Sequence, residues 1–221
     1  MYCVIMGDIV NSRSLDDEHR EQVVNAAKNV FDKINTNYSS SMMTPFGMVR
    51  GDSFEGVLLK RQHSTQIVQE IIKAFYRIDK TVVRISVVFG KLTLTSNDRN
   101  ETDGPAFHTA IDALTKMKAR KSNHWLQVSF DVDKLGKLLI ESNMVLLSAL
   151  TERWTDKQRE TVWATEEHNG HQKDIGEING VTPSVVNKQL KAAKYTAYRQ
   201  AWDSLTEYFI SLDEQSQNIN Q

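Results

Sequence analysis

The feature that most constrains the fold is the apolar run at the start of the chain, YCVIMGDIV at residues 2–10. Almost every side chain in it is apolar, so a strand formed here needs cover on both of its faces. Such a strand belongs at the centre of a sheet. Asp8 interrupts the run, which places a carboxylate where a buried strand ends and marks that end as a candidate site.

Helical and strand patterns alternate after this run as far as about residue 150. The helical patterns cover residues 15–38, 65–78, 105–120 and 132–152. The strand patterns cover residues 46–59 (two short strands), 81–94 and 125–130. Ser64 fits the N-cap of the second helix, and residues 36–45 form a polar break. The order β-α-β-β-α-β-α-β predicts an α+β fold, an α/β sandwich with a mostly antiparallel sheet and helices on one face.

The composition fits a globular protein with one large domain, or with a medium domain and a small one. Hydrophobic residues make up 40% of the 221 residues and the formal net charge is -1, so the chain as a whole is not a general polyanion binder. Cys3 is the one cysteine, which excludes an internal disulfide and fits a reducing compartment. The sequence predicts no signal peptide and no membrane span, so the cytoplasm is the expected location.

Strand patterns disappear after about residue 150, and only helical patterns follow. The sequence therefore predicts three parts. They are an α/β domain at residues 1–150, an all-α domain at residues 151–213 and a disordered polar tail at residues 214–221.

The sharpest pattern of the all-α part is HQKDIGEINGVTPSVVNKQLKAAKY at residues 171–195. Gly176 leaves room for the close approach of a second helix, and Gly180 permits the positive φ of a tight turn. Thr182 is a good N-cap, and Pro183 suits the first position of the next helix. This spacing is typical of a helix-turn-helix, whose second helix enters the major groove of DNA.

The two helices of this motif are expected to place apolar residues inward and polar residues in solvent. The predicted inward residues are Ile175, Ile178, Val185, Val186, Leu190 and Ala193. The predicted DNA contacts are Thr182, Ser184, Asn187, Lys188, Lys191 and Lys194, with Arg199 as a further phosphate contact. The segment is locally basic, with five Lys or Arg and two acidic residues between positions 171 and 199. The alternative is a plain helical hairpin with solvated lysines.

The same segment resembles the promoter-reading region of sigma factors and many small repressors. Those proteins usually carry an apolar residue just before the turn glycine, and Asn179 stands there in this chain. We expect Ile178 to take that place through a slight rotation of the first helix.

Two aspartates of the N-terminal part occupy special positions. Asp8 ends the first strand, and Asp52 follows Gly51 in the predicted hairpin. If that hairpin pairs beside the first strand, the two carboxylates converge at one end of the sheet and form a site for a divalent cation. Such a cation can hold a phosphoryl group for attack. The alternative is an ordinary Gly-Asp turn.

Four segments of the N-terminal part resemble class III nucleotidyl cyclases, over roughly residues 2–130. They are GDIVNSR, RGDSFEGVL, VRISVVFGKL and DGPAFHTAIDAL, in the order and rough spacing of four cyclase motifs. The resemblance implies a ferredoxin-like, nucleotidyl cyclase-like α/β sandwich that holds Mg or Mn. By motif, the metal ligands are Asp8, Asp52 and the backbone carbonyl of Ile9. Asn11, Ser12 and Arg13 line the turn where phosphates lie.

The chain departs from the cyclase pattern on the helix after the fourth motif, and Met48 stands nearest to the position of the lysine that selects adenine in cyclases. Cyclases carry an Asn and then an Arg on the helix after the fourth motif, and His108 and Asp112 stand there in this chain. An Asp cannot offset the charge that builds on a phosphate, so we expect that cyclization is not catalysed.

A cyclase-like domain joined to a C-terminal helix-turn-helix resembles the SatD family of bacterial proteins, over nearly the whole chain.

Three functions remain open from the sequence. The first is a bacterial DNA-binding transcriptional regulator whose degenerate cyclase-like domain binds nucleotide and metal or dimerises. A homodimer is expected, because a two-fold dimer matches a palindromic site. The second is an active metal-dependent nucleotidyl cyclase or another phosphoryl-transfer enzyme. The third is a structural dimeric adaptor.

Overall fold

A computed structural model of the chain describes residues 1–49, 51–95, 101–120, 126–132, 134–168 and 170–218. The strands are β1 (Tyr2–Ile9), β2 (Met42–Val49), β3 (Ser53–Leu58), β4 (Val83–Gly90) and β5 (Gln127–Asp131). The helices are α1 (Asp17–Asn37), α2 (Ser64–Tyr76), α3 (Pro105–Ala119), α4 (Lys134–Thr151), α5 (Asp156–Glu167), α6 (Gln172–Ile178), α7 (Pro183–Ala192) and α8 (Tyr195–Asn218). From β1 to β5 the order of elements is the predicted one, and the mixed α+β class is confirmed.

Among the described residues, the sheet has five strands in the order β2-β3-β1-β4-β5. β1 lies at its centre and pairs antiparallel with both β3 and β4. β5 is the exception to the antiparallel pattern, because it runs parallel to β4. The apolar run at the start of the chain predicts the central position of β1, and the order of elements predicts the mostly antiparallel sheet.

Helices cover both faces of this sheet, so the prediction of helices on one face is wrong. Phe54 of β3 packs against Phe31 of α1 and Phe75 of α2, with ring centroids 5.3 Å and 5.8 Å away. Val57, three residues further along β3, lies on the opposite face, where it shares a core with Val4 and with α3. β1 is apolar on both faces, and both faces need a helical cover.

Two local predictions also need correction. β2 begins at Met42, inside the segment 36–45 that was expected to be a polar break. The polar part ends with a short 3-10 turn at Ser39–Ser41, after which the chain enters the sheet. Ser64 does not cap α2, because it lies within that helix and its hydroxyl donates to the carbonyl of Arg61 at 2.7 Å.

The chain divides into two compact units. We call Met1–Met144 together with Leu205–Gln221 the sheet unit, and Val145–Ser204 the helical unit. The part of α8 from Leu205 onward belongs to the sheet unit. Phe209 of this part packs against Phe89 and Phe130, with ring centroids 4.9 Å and 5.3 Å away. α8 continues to Asn218, within the segment 214–221 for which the sequence predicts a disordered tail.

Membrane-spanning helices are absent from the part of the chain that the structure describes. None of the helices found there is both long enough and apolar enough to cross a bilayer.

Candidate functional site

The carboxylate of Asp8 is buried between two cations. Its side chain is 3% exposed, and Arg84 Nη1 donates to Asp8 Oδ1 at 2.9 Å. Lys118 Nζ lies 3.0 Å from Asp8 Oδ2, close enough for an ion pair although the angle is not that of a hydrogen bond. A carboxylate can stay charged at this depth only when it is paired. The fold therefore balances the charge of Asp8 with its own side chains.

Arg84 is fixed on its other side as well. It lies opposite Asp8 in the β1–β4 register, and its Nε donates to Gln127 Oε1 at 3.1 Å on β5. The sequence analysis missed both Arg84 and Lys118. The arginine within the β-branched run VVRISVV could have indicated the ion pair with Asp8, because a charge in a buried strand needs a partner on a neighbouring strand.

Asp52 has different neighbours. It follows Gly51, which has a φ of 83°, in the turn between β2 and β3. Its carboxylate accepts a hydrogen bond from the Ser12 hydroxyl at 2.6 Å, and its backbone carbonyl accepts one from the Ile9 amide at 3.0 Å. Ser12, Asp52 and Arg20 line an open pocket of about 220 Å³. A small polar ligand in this pocket can reach Ser12 and Asp52, two of the predicted site residues.

The residues predicted to hold phosphates form the turn after β1. Asn11 has a φ of 57°, a left-handed conformation that asparagine tolerates better than most residues. Ser12 follows it in a short 3-10 turn and faces Asp52. The side chain of Arg13 lies outside the described part of the structure.

The arrangement around Asp8 does not fit a divalent cation. A dication at this carboxylate would lie against Arg84 and Lys118, whose two positive charges already exceed its single negative charge. Within the described residues, no group of three or more His, Cys, Asp or Glu side chains is placed to hold a metal. Mg or Mn at Asp8, the Ile9 carbonyl and Asp52 therefore stays a prediction, and it requires Lys118 to leave the carboxylate.

His108 and Asp112, which replace the polar pair of the cyclase helix, both lie exposed on α3. His108 Nε2 is 3.5 Å from Asp103 Oδ1, and its side chain is 70% exposed. Neither residue is held in a geometry suited to stabilise charge on a phosphate.

In the helical unit, α6 and α7 are joined by a tight turn with the predicted local chemistry. A Cβ on Gly176 would lie 2.7 Å from the carbonyl oxygen of Val181, so only glycine fits there. Gly180 has a φ of 63°. The Thr182 hydroxyl accepts a hydrogen bond from the Val185 amide at 3.4 Å, and Pro183 takes the first position of α7.

The prediction that Ile178 faces inward is wrong. Ile178 is 57% exposed, and Asn179 turns toward α5, where its amide donates to the Thr161 hydroxyl at 3.5 Å. Gln189 of α7 also hydrogen-bonds that hydroxyl, and Thr161 itself is 1% exposed. An asparagine at the turn is therefore explained by a buried polar partner, which ties the turn and α7 to α5.

α7 has a buried side and an exposed side. Val186 and Leu190 are buried and face the core of the helical unit. The six residues predicted to contact DNA are all exposed, namely Thr182, Ser184, Asn187, Lys188, Lys191 and Lys194. The far end of α7 is held by Trp154, whose indole N–H donates to the carbonyl of Ala193 at 2.8 Å.

A cleft of about 880 Å³ lies beside α7 in the helical unit, and Asn187, Lys191, Lys194 and Arg199 are among the residues that line it. Arg199 is engaged already, because its Nε lies 2.9 Å from both carboxylate oxygens of Asp203. This pairing raises the pKa of Arg199. The lysines rather than Arg199 are thus the cations that the cleft offers to an anionic ligand.

Comparison with known proteins identifies a family and weak structural likenesses. The profile of the SatD family matches residues 2–207, which includes parts of both units. No curated protein sequence matches this chain.

Solved structures that resemble the chain include two cyclases and one regulator. The monomeric guanylyl cyclase domain of the RhoGC fusion protein from the aquatic fungus Blastocladiella emersonii is 16% identical, covering 52% of this chain and 74% of that one with a TM-score of 0.38. A bacterial light-regulated adenylyl cyclase is 11% identical, covering 58% and 41% with a TM-score of 0.40. A regulator of polyketide synthase expression from Bifidobacterium adolescentis is 11% identical, covering 97% and 81% with a TM-score of 0.28.

Proposed function

We propose that this chain, which belongs to the SatD family, is a bacterial DNA-binding regulator of transcription that contacts DNA through α7. One observation carries the proposal. α7 buries Val186 and Leu190 and exposes a polar and basic side that begins at its N-cap. A helix of this kind, presented after a tight turn, matches the way in which a recognition helix enters the major groove.

The exposed side of α7 divides by chemistry into two groups. Ser184, Asn187 and Lys188 carry donors and acceptors that suit base edges in a major groove about 12 Å wide. Lys191 and Lys194 are cations near the end of the helix, and they suit phosphates, which give affinity without sequence information. Both ends of α7 are anchored within the helical unit, so the two groups keep a fixed register.

In this proposal the sheet unit binds a nucleotide, or holds two copies of the chain together, and thereby biases the DNA-binding helices. Support for the nucleotide comes from the open pocket at Ser12, Arg20 and Asp52. The phosphates of the bound nucleotide would lie against the turn formed by Asn11, Ser12 and Arg13. If a nucleotide with Mg²⁺ or Mn²⁺ binds the native state, the free energy of unfolding increases by about 2.7 kcal/mol at a ligand concentration about 100 times the Kd. The melting temperature must then rise. An unchanged melting temperature leaves the sheet unit with the dimerising role alone.

The enzymatic alternative, a metal-dependent nucleotidyl cyclase or phosphoryl-transfer enzyme, has less support. It needs a cation at Asp8, where Arg84 and Lys118 already balance the charge. It also needs a group that stabilises charge on the phosphate, and Asp112 at the position of the cyclase arginine is an exposed carboxylate.

Mobility shift with fragments of the source genome tests the DNA-binding proposal. We expect binding at low salt by the full chain, and a loss of about tenfold in affinity when Lys188→Ala and Lys191→Ala are combined. The matched control is Lys28→Ala with Lys33→Ala, which removes the same charge from exposed positions of α1. Equal affinities of the two double variants would contradict the assignment to α7, and no shift at any salt concentration would end the proposal.

A further inference from the structure

One side of α4 is apolar and exposed along the whole helix. We call this side the α4 stripe, and its members are Leu135, Leu138, Leu139, Ser142, Val145, Leu146 and Ala149. The five large side chains of the stripe are between 56% and 70% exposed. Their spacing of three and four residues places them on a single face of the helix.

The opposite side of α4 is apolar as well. Ile140, Met144 and Leu147 lie there and are at most 6% exposed. A helix with two opposite apolar sides is normally covered on both of them, and monomeric proteins rarely expose a continuous apolar patch of more than a few hundred Å². The α4 stripe therefore needs a partner.

The α4 stripe is symmetric about its centre, Ser142. Leu139 and Val145 lie three residues on either side, Leu138 and Leu146 four, and Leu135 and Ala149 seven. When two such helices pack antiparallel around a two-fold axis at Ser142, a residue that lies a given number of positions before Ser142 meets the partner's residue that lies the same number of positions after it. Leu138 then meets the partner's Leu146, and Leu135 meets the small Ala149 of the partner subunit. The small Ser142 at the axis allows the helices to approach closely.

The size of the stripe fits such a contact. Five large side chains with these exposures, together with Ala149, present on the order of 600 Å² per protomer, which approaches the about 800 Å² per partner of a standard interface. We propose that the α4 stripe is the contact surface of a two-fold homodimer, in which α4 of one protomer packs antiparallel on α4 of its partner.

A second copy suits this surface better than a membrane does. An amphipathic helix that lies on a bilayer carries many cations on its polar side. α4 has Lys134 and Lys137 near its start, and Lys137 is already paired with Asp131 at 2.6 Å. Glu141 lies beside the centre of the stripe, where an anionic surface would repel it.

The first test measures the mass of the full chain by sedimentation equilibrium, without DNA, so its outcome does not depend on the DNA-binding proposal. We expect twice the chain mass of 25.2 kDa, and monomers for Leu138→Glu and Leu146→Glu, with the dimer dissociation constant raised by about 100-fold or more. Ile178→Glu is the matched control, since Ile178 is 57% exposed on another helix, and it should remain dimeric.

A wild-type chain that stays monomeric at about 0.1 mM would overturn the proposal. A monomeric chain that sediments with vesicles of phosphatidylcholine and phosphatidylserine would assign the stripe to a membrane instead.

The second test determines the direction of packing. Cys3 is fully buried, and burial raises the pKa of its thiol, so in the folded chain an introduced cysteine is the accessible one. With a short bismaleimide, Ser142→Cys should cross-link to itself. Leu135→Cys and Ala149→Cys should each stay uncross-linked alone and should cross-link when the two variants are mixed.

Self-cross-linking of Leu135→Cys or Ala149→Cys would indicate parallel helices and overturn the antiparallel arrangement. Absence of any cross-link from Ser142→Cys in a dimeric sample would move the interface away from α4. Modification of Cys3, read by mass spectrometry, identifies a variant that has unfolded, and such a variant is replaced by a mixture of Leu138→Cys and Leu146→Cys, which meet in the same antiparallel arrangement.

Discussion

The charged residues of the two candidate sites, one in each unit, have opposite surroundings. In the sheet unit, Asp8 is buried and its charge is balanced by Arg84 and Lys118. In the helical unit, Lys188 and Lys191 stand exposed on α7 beside neutral polar side chains. A charge that the fold has already paired contributes to structure, whereas a charge left in water is available to a ligand. The comparison supports the proposal that the helical unit binds the ligand.

Substitution of Asp8 tests this comparison with the largest expected effect. If Asp8 is the partner of a buried ion pair, Asp8→Asn leaves Arg84 without its counter-charge and lowers the free energy of unfolding by about 3 kcal/mol. Urea denaturation measures this change. If Asp8 is instead kept as a metal ligand, the expected result is the reverse. Removal of its charge from the metal-free protein would then relieve repulsion, and the free energy of unfolding would stay unchanged or increase.

Asp52→Asn is the control for that experiment. Asp52 is half-buried, and its carboxylate accepts a hydrogen bond from the Ser12 hydroxyl. The amide oxygen of an asparagine can accept the same hydrogen bond. We expect a loss of no more than about 1 kcal/mol. Equal losses at Asp8 and Asp52 would show that the two carboxylates are held alike.

A smaller effect is expected at the turn between α6 and α7. Gly176→Ala places a Cβ against the carbonyl oxygen of Val181, so the two helices must move apart, at a cost of about 2 kcal/mol. Gly180→Ala is the matched change, since open space surrounds that position and only its φ of 63° opposes a side chain, which costs about 1 kcal/mol. A larger loss at Gly180 than at Gly176 would contradict the close approach of the helices.

The smallest of these changes concerns the N-cap of α7. Thr182→Ala removes the hydroxyl that accepts from the Val185 amide, and the helical unit should lose about 1 kcal/mol. Ser184→Ala, two residues further and exposed, should leave the free energy of unfolding within about 0.5 kcal/mol of the wild type. If the two variants are equally stable, the cap does not hold the start of α7.

Local chemistry explains which features the sequence could predict. The run at residues 2–10 identifies β1 as a central strand, and the Thr182-Pro183 pair identifies the start of α7, because both signals lie within a few consecutive residues. The partner of Asp8 was missed, since Arg84 meets it only through the register of β1 with β4. Ile178 was misplaced because α6 has seven residues, too few for a helical period to be read reliably.

The wrong expectation of helices on one face has a similar origin. The apolar character of β1 on both faces already implied two covers, but the order of elements does not say which helix takes which face. That choice depends on the crossovers, which put α1 and α2 against Phe54 and α3 against Val57.

The most direct test of the central assignment is the salt dependence of DNA binding. If α7 contributes a phosphate contact through Lys191, the slope of log K against log salt should become shallower by about 1 in the variant that combines Lys188→Ala and Lys191→Ala, and it should stay unchanged in the Lys28 and Lys33 control. Identical slopes for the wild type and the α7 variant would contradict the account.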